Sequence, residues 1–164
     1  MTVRRIGQWS VATKDATRSA VPANPPKLAR VAWMSVFETG NTELDAWHRK
    51  LVDACNRLLQ LVTTSAEKAL VVAAAEDFVG LCAEHFQVEE EILEQLAFPR
   101  RDEHAAEHRR IEDELLAVIW QLRDAETSTE RCNALSLQLA PLLIDLMVRY
   151  DTDYRSHVLE RQGR

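Results

Sequence analysis

The sequence predicts an all-α protein: an antiparallel up-down four-helix bundle preceded by an irregular N-terminal arm. Its 164 residues are 46% hydrophobic and include only four glycines and five prolines, three of these prolines within the first 30 residues. Beyond the arm, apolar side chains recur at spacings of about three and four residues in four segments. Because short polar connections separate these amphipathic segments, an antiparallel bundle buries their apolar faces best.

Residues 1–32 form the predicted arm and residues 33–164 the predicted bundle. The arm is rich in Ser, Thr, Ala and Pro and ends in VPANPPKLAR, a composition typical of irregular chain. Residues 1–30 carry six Lys or Arg against one Asp, although the formal net charge of the whole chain is −6. A protein partner for this basic arm is left open.

Charge and apolar pattern argue against several function classes. The negative net charge disfavours nucleic acid or an anionic membrane as the main partner. No uninterrupted apolar run approaches the ~18 residues of a membrane span, and the N-terminus lacks the apolar stretch of a secretory signal. The three cysteines, Cys55, Cys82 and Cys132, are far apart and predict free thiols in a reducing compartment. We therefore expect a cytoplasmic protein.

The first two helices are predicted from their end signals. The first begins at NTELDAWH, with Thr42 and Asp45 as a capping box. The second runs from about Ser65 to Leu96 and ends before Pro99, which cannot continue a helix.

The third and fourth helices are also predicted from the residues at their ends. Asp102 is expected to cap the third, and Thr127 with Glu130 to form a capping box for the fourth. Pro141 is expected to kink the fourth helix. The side chains predicted to face inward from the fourth helix are Ala140, Ile144, Met147, Asp151, Tyr154 and Val158.

Six ionisable side chains fall on these apolar stripes: His48, His85, Glu89, His104, His108 and Asp151. Each alone is consistent with a hydrogen-bonded core residue. Together they include two pairs at i,i+4 spacing, His85–Glu89 and His104–His108, and each pair shares one helix face. Burying all six without partners would be costly for every unpaired charge.

A metal centre removes that cost, since its charge stabilises the carboxylates and its empty orbitals accept the imidazole lone pairs. Mixed imidazole and carboxylate ligands suit iron, manganese or zinc rather than calcium or magnesium. Two carboxylates that can bridge, with imidazoles on both sides, favour two ions over one. The six residues therefore predict a buried metal site.

On these residues the sequence resembles the hemerythrin family, specifically bacteriohemerythrin-type HHE cation-binding domains. The resemblance covers about residues 33 to 158. It rests on LDAWH with His48, HFQVEE with His85 and Glu89, HAAEH with His104 and His108, and DTDY with Asp151 and Tyr154.

The resemblance implies a non-haem centre of two iron ions, oxo- or hydroxo-bridged when oxidised. Glu89 and Asp151 would bridge the irons. His48 and His85 would bind one iron, and His104 and His108 the other. Family members of this type bind dioxygen or a related diatomic such as nitric oxide, for carriage, storage or sensing.

The sequence departs from the family pattern at Leu146, where the family has a fifth histidine five residues before the bridging aspartate. Residues 109–156 contain no histidine. His157 is expected to be an exposed helix-end residue, Met147 a core residue and Tyr150 a packing or surface residue rather than a ligand.

Three functions remain open from the residues. The first is diatomic binding at a centre lacking one histidine. The second is an oxygen-activating di-iron oxidase or oxygenase, whose small-molecule substrate would occupy the Leu146 side. The third is an interaction or sensory module with a structural metal or none. Beside the centre, Cys55 and Cys82 are read as core filler or redox groups, and Glu90 as a solvated residue or a partner of a ligand imidazole.

Overall fold

The computed structural model describes residues 30–162 except residues 65 and 125, and this part of the chain is helical with no strand. Its α-helices are α1 (Thr42–Thr63), α2 (Lys68–Gln95), α3 (Arg101–Arg123), α4 (Thr129–Ser136), α5 (Leu139–Asp145) and α6 (Thr152–Gln162). A 3-10 turn, Ser35–Phe37, precedes α1, and a π-helical turn, Leu146–Tyr150, joins α5 to α6. The all-α prediction is confirmed. Expectations about residues 1–29 lie outside the described residues.

Helices α1, α2 and α3 run antiparallel to one another in turn, as contacts at the two ends of the bundle show. The ring centroid of His48, near the start of α1, lies 5.0 Å from that of His85, in the second half of α2. At the opposite end, the Nζ atom of Lys68, which begins α2, donates to the backbone carbonyls of Asp124 and Thr127 just after α3. The segments α4 to α6 together take the place of the predicted fourth helix.

The start of α1 differs by one residue from the prediction. Asn41 rather than Thr42 is the N-cap, and its side chain accepts hydrogen bonds from the backbone N–H groups of Glu43 and Leu44. Asparagine is as good a cap as threonine because its side-chain oxygen reaches the same unpaired N–H groups. Asp45 therefore does not complete a capping box.

The caps of α3 and α4 also differ from the predicted residues. Ser128 rather than Thr127 caps α4, and its hydroxyl accepts from the backbone N–H of Arg131. Asp102 lies inside the first turn of α3, where Arg100 occupies the cap position. There its charge still interacts favourably with the positive end of the helix dipole.

Pro141 lies in the first turn of α5, after a break between α4 and α5. Proline has no N–H to donate to the carbonyl of Leu137, so the helix is interrupted rather than only kinked. The π-helical turn, in which the Asp151 N–H bonds to the Leu146 carbonyl at 3.2 Å, then changes the helical phase. As a result Ile144, predicted to face inward, is only partly buried, whereas Leu143 and Leu146 are buried.

The stretch Thr129–Tyr150 is long and apolar enough, by length and composition, for a membrane span. Its most apolar window has a mean hydropathy of 1.2, and 44% of that window is buried inside the bundle. The sequence expectation was therefore too strict, because it counted only uninterrupted apolar residues. A helix in the core of a bundle meets the same criteria, so this stretch does not assign the chain to a membrane.

The six predicted ligands lie between two apolar clusters. The smaller cluster consists of Leu44, Leu93, Phe98, Tyr154 and Val158, and the larger one fills most of the bundle from Val31 to Met147. On α1, for example, His48 lies between Leu44 of the smaller cluster and Leu51 of the larger. These ionisable residues form a polar layer with apolar side chains on both sides.

Candidate metal centre

The structure brings all six predicted ligands together in this polar layer. All are buried, the most exposed being His104 at 5%. They form two groups, one of His48, His85 and Asp151, and one of Glu89, His104, His108 and Asp151. Within each group the donor atoms lie within 4.8 Å of one another, and Asp151 belongs to both.

Glu89 lies among three imidazoles from two helices. Its Oε2 atom is 3.1 Å from Nε2 of His85 and 3.3 Å from Nε2 of His108. Its Oε1 atom is 3.3 Å from Nε2 of His104. The carboxylate thus contacts imidazoles of both groups.

The donor atoms that face this centre have no hydrogen-bond partner among the described residues. They are Nε2 of His48, His85, His104 and His108, and both carboxylate oxygens of Glu89 and Asp151. Buried polar atoms are nearly always paired in folded proteins. Four imidazole nitrogens and four carboxylate oxygens that converge without partners fit the ligand set of a bound transition metal.

Without a metal, the charges of the centre act strongly on one another. Burial disfavours the charged form of His48, but the carboxylate of Asp151, 3.2 Å from its Nε2 atom, raises its pKa to about 9. Burial acts on His108 in the same direction, yet Glu89 and Glu90 raise its pKa to about 9. Burial would raise the pKa of Glu89, but the surrounding imidazoles, His85 foremost, hold it well below the usual range.

Two imidazoles are oriented through the nitrogen that faces away from the centre. Nδ1–H of His48 donates to the backbone carbonyl of Phe37 at 2.6 Å. Nδ1–H of His108 donates to Oε1 of Glu90 at 2.9 Å. In the neutral ring these bonds favour the tautomer with the proton on Nδ1, which leaves the Nε2 lone pair free for a metal ion. The reading of Glu90 as a partner of a ligand imidazole is therefore the one that the structure supports.

The segment before α1 holds the Phe37 carbonyl in place. Asp45 accepts hydrogen bonds from the backbone N–H and the hydroxyl of Thr39, at 2.6 and 2.9 Å. Further upstream, the side chain of Asn56 bonds both the N–H and the carbonyl of Val31. No side-chain pattern in the sequence predicts the contact to His48, because a backbone carbonyl makes it.

Comparison with known proteins agrees with this site. The sequence model of the hemerythrin HHE cation-binding domain matches residues 39–160. The chain belongs to the hemerythrin family. It is also 25% identical, over 96 residues, to a bacteriohemerythrin of Stenotrophomonas maltophilia (strain R551-3). That match covers 58% of this chain and 60% of the relative.

At the position where the resemblance to hemerythrins implies a fifth histidine, Leu146 is only 1% exposed and packs in the larger apolar cluster. The oxidase or oxygenase alternative places its substrate on the side of this packed residue. The adjacent Met147 is buried in the same cluster, in agreement with its prediction as a core residue.

The remaining candidates for a replacement ligand lie elsewhere in this hemerythrin fold. The hydroxyl of Tyr150 accepts a hydrogen bond from the exposed Arg110 at 3.0 Å. Nε2 of His157 lies 2.9 Å from the backbone carbonyl of Leu96. His157 is partly buried against Phe98, so the expectation of an exposed residue was wrong, although it indeed lies outside the centre.

The cysteines are buried, and none belongs to either group of candidate ligands among the described residues. Burial raises the pKa of the Cys55 thiol to about 12 and that of Cys82 further. Protonated, buried thiols are poor nucleophiles and poor metal ligands. This supports their reading as core filler.

Tyr154 brings a further polar group, its phenol hydroxyl, close to the centre. The apolar spacing predicted only that this side chain faces inward. Its ring packs edge-on against His104, with 5.4 Å between centroids, and its buried hydroxyl has no hydrogen-bond partner within the described part of the chain. Burial, together with the charges of Glu89 and Asp151, raises its pKa well above the ordinary value. The phenol therefore stays protonated and is available as a donor at the centre.

Proposed function

We propose that this chain is a non-haem di-iron protein that binds dioxygen, or a related diatomic such as nitric oxide, for carriage, storage or sensing. One observation carries the proposal: two groups of buried, unpartnered donor atoms share the carboxylate of Asp151. Membership of the hemerythrin family and the similarity to a bacteriohemerythrin support it.

In this proposal the ligands divide by group. His48 and His85 would hold one ion, His104 and His108 the other, and the carboxylates of Glu89 and Asp151 would serve both. Bound ferrous ions would supply the electrons and the affinity for a diatomic ligand that no side chain of the set has. The positive charge of the ions would also offset the cost of burying two carboxylates.

The surrounding residues exclude water from the centre. The ring of Phe86 stacks on His108 with 4.2 Å between centroids, and the two apolar clusters close the layer from either side. In such a dry site electrostatic interactions are stronger than in water. A small uncharged diatomic can enter it without bringing its own hydration shell, whereas a charged ligand would lose one.

The test is reversible binding by the reduced, iron-loaded protein. Its absorption spectrum is recorded under argon, after exposure to oxygen, and after the oxygen is removed again. The proposal predicts a visible band that appears with oxygen and disappears on its removal. Irreversible oxidation, without a change that reverses on deoxygenation, would contradict it.

A pair of variants links the spectrum to the centre. His48→Gln removes an imidazole of the candidate site and should abolish the reversible change. His157→Gln removes the one histidine outside the site and should leave the change intact. If both variants behaved alike, the spectrum would not report on this centre.

A further inference from the structure

Glu90 follows Glu89 on α2, and its carboxylate reaches across to His108 on α3. Oε1 of Glu90 lies 2.9 Å from Nδ1 of His108, while Nε2 of the same ring lies 3.3 Å from Oε2 of Glu89. One imidazole thus lies between two carboxylates. In the neutral ring the Nδ1 proton is directed to Glu90, so the lone pair on Nε2 faces the centre.

His108 differs in this respect from the other imidazoles of the centre. Nδ1 of His48 meets the uncharged carbonyl of Phe37, and Nδ1 of His85 has no hydrogen-bond partner in residues 30–162, residues 65 and 125 apart. For His104, no hydrogen bond at Nδ1 is found among the described residues. A carboxylate partner makes an imidazole a stronger donor than a carbonyl does, because it draws the Nδ1 proton further from the ring.

The orientation of the His108 ring is fixed from a second direction. The ring of Phe86 stacks on it, with an interplanar angle of 12°. The hydrogen bond to Glu90 fixes the rotation of the ring and the stacking fixes its plane. The ring therefore keeps one orientation, with Nε2 toward the centre, before any ion binds.

The other side of Glu90 faces solvent. Its side chain is 38% exposed and lines a surface cavity of about 480 Å³ together with Gln87, Glu94 and Arg101. Because water reaches this carboxylate, its negative charge is far less desolvated than that of the buried Glu89. Glu90 can therefore supply negative charge to His108 without a large desolvation penalty.

We propose that Glu90 is a positioning residue that tightens metal binding at the His104–His108 group by orienting His108 and strengthening it as a donor. The inference rests on the proposed function. It matters most at this group, which contains two imidazoles and has Leu146 where the family pattern has a third.

The experiment compares anaerobic binding of ferrous ion, measured by competition with a chromophoric chelator, in the full chain and two variants. Glu90→Gln keeps a hydrogen-bond acceptor of almost the same shape but removes the charge. Glu91→Gln makes the same change of net charge at the next residue, which is exposed and has no contact with the centre among the described hydrogen bonds and ion pairs. Far-UV circular dichroism of the metal-free proteins checks that both variants fold.

The wild type and Glu91→Gln should bind two ions with the same two affinities. Glu90→Gln should weaken one of the two binding steps by about 10- to 100-fold and leave the other unchanged. Loading with cobalt(II) gives a second readout, since its visible bands report on ligand strength. These bands should shift in Glu90→Gln but not in Glu91→Gln.

Two outcomes would overturn the inference, and they are distinguishable. If the wild type binds two ions and Glu90→Gln has the same affinities and cobalt spectrum as Glu91→Gln, Glu90 has no positioning role although the proposed function stands. If the wild type itself does not bind two ions, the proposed function fails and this inference fails with it.

Discussion

Oδ2 of Asp151 lies 3.2 Å from Nε2 of His48, and this contact joins the last helical segment to the first inside the bundle. Both side chains are almost completely buried, and Asp151 also belongs to the group that contains His104 and His108. One carboxylate therefore connects ligands from three helical segments. The candidate centre is therefore complete only when all of these helices have packed together in the folded bundle.

Replacement of this shared carboxylate tests that arrangement. Asp151→Asn keeps the shape of the side chain but removes its charge, so the His48–His85 group loses its only carboxylate and the His104–His108 group keeps only that of Glu89. We expect iron content to fall from about two ions per chain to about one or less. Plasma mass spectrometry of the purified variant measures this. Asp145→Asn, which changes an exposed carboxylate on α5, is the control and should keep the wild-type content.

A second prediction concerns the position that lacks a histidine. Leu146→His places an imidazole on the π-helical turn that brings residue 146 toward the face of Asp151. The metal-free variant should be less stable by about 1–3 kcal/mol because a polar group is buried without a partner. The variant should bind iron about tenfold more tightly than the wild type does, equivalent to ~1.4 kcal/mol. Iron binding should therefore offset the loss of stability. Thermal unfolding with and without iron measures both effects.

Leu143→His is the matched control for that variant. Leu143 is as buried as Leu146, but it lies on α5, outside both groups of candidate ligands. Its replacement should destabilise the metal-free protein similarly, and iron should not rescue it. If iron rescued both variants equally, residue 146 would not face the centre.

Much of this site was predictable from the sequence because its candidate ligands lie at helical spacings. His85 and Glu89 are four residues apart, as are His104 and His108, and a bundle of four amphipathic helices has one interior in which such stripes meet. The phase of the last helix was not predictable in the same way. Pro141 gave a reason for an interruption, but no residue type marks the π-helical turn that follows it.

The segment before α1 provides a third prediction. Asp45→Ala removes the acceptor that holds Thr39, and with it the segment that presents the Phe37 carbonyl to His48. Loss of these two charge-assisted hydrogen bonds should lower the free energy of unfolding by about 1–3 kcal/mol. Urea denaturation measures it.

Asp53→Ala is the control for this loss, since Asp53 is an exposed carboxylate on the same helix. It should change the stability by less than about 0.5 kcal/mol. An equal effect of the two substitutions would mean that the Thr39 contact contributes nothing beyond ordinary surface charge.

The buried thiols provide a fourth prediction. Because burial raises the pKa of Cys55 to about 12, its thiolate is present in only about one molecule in 10⁴ at pH 8. Cys82 is shifted in the same direction. Native protein should therefore react with a disulfide reagent at least about 100-fold more slowly than protein unfolded in guanidinium, which should show three reactive thiols. Rapid reaction of the native thiols would show that the core opens readily.

The backbone contact to His48 and the pairing of Glu90 with His108 could not be predicted from the sequence. Any residue can supply a carbonyl, so position 37 carries no signal. Glu90 was one of several glutamates on α2, and only the packing of α3 against α2 selects it from its neighbour Glu91. Such supporting contacts depend on how two elements pack, which helical periodicity does not specify.

The most direct test of the central claim is a crystal structure of the iron-loaded protein with anomalous scattering measured at the iron absorption edge. A di-iron centre should give two anomalous peaks in the polar layer, one beside His48 and His85 and one beside His104 and His108, with Glu89 and Asp151 contacting both. No anomalous peak in this layer, or a single peak served by only one of the two groups, would contradict it.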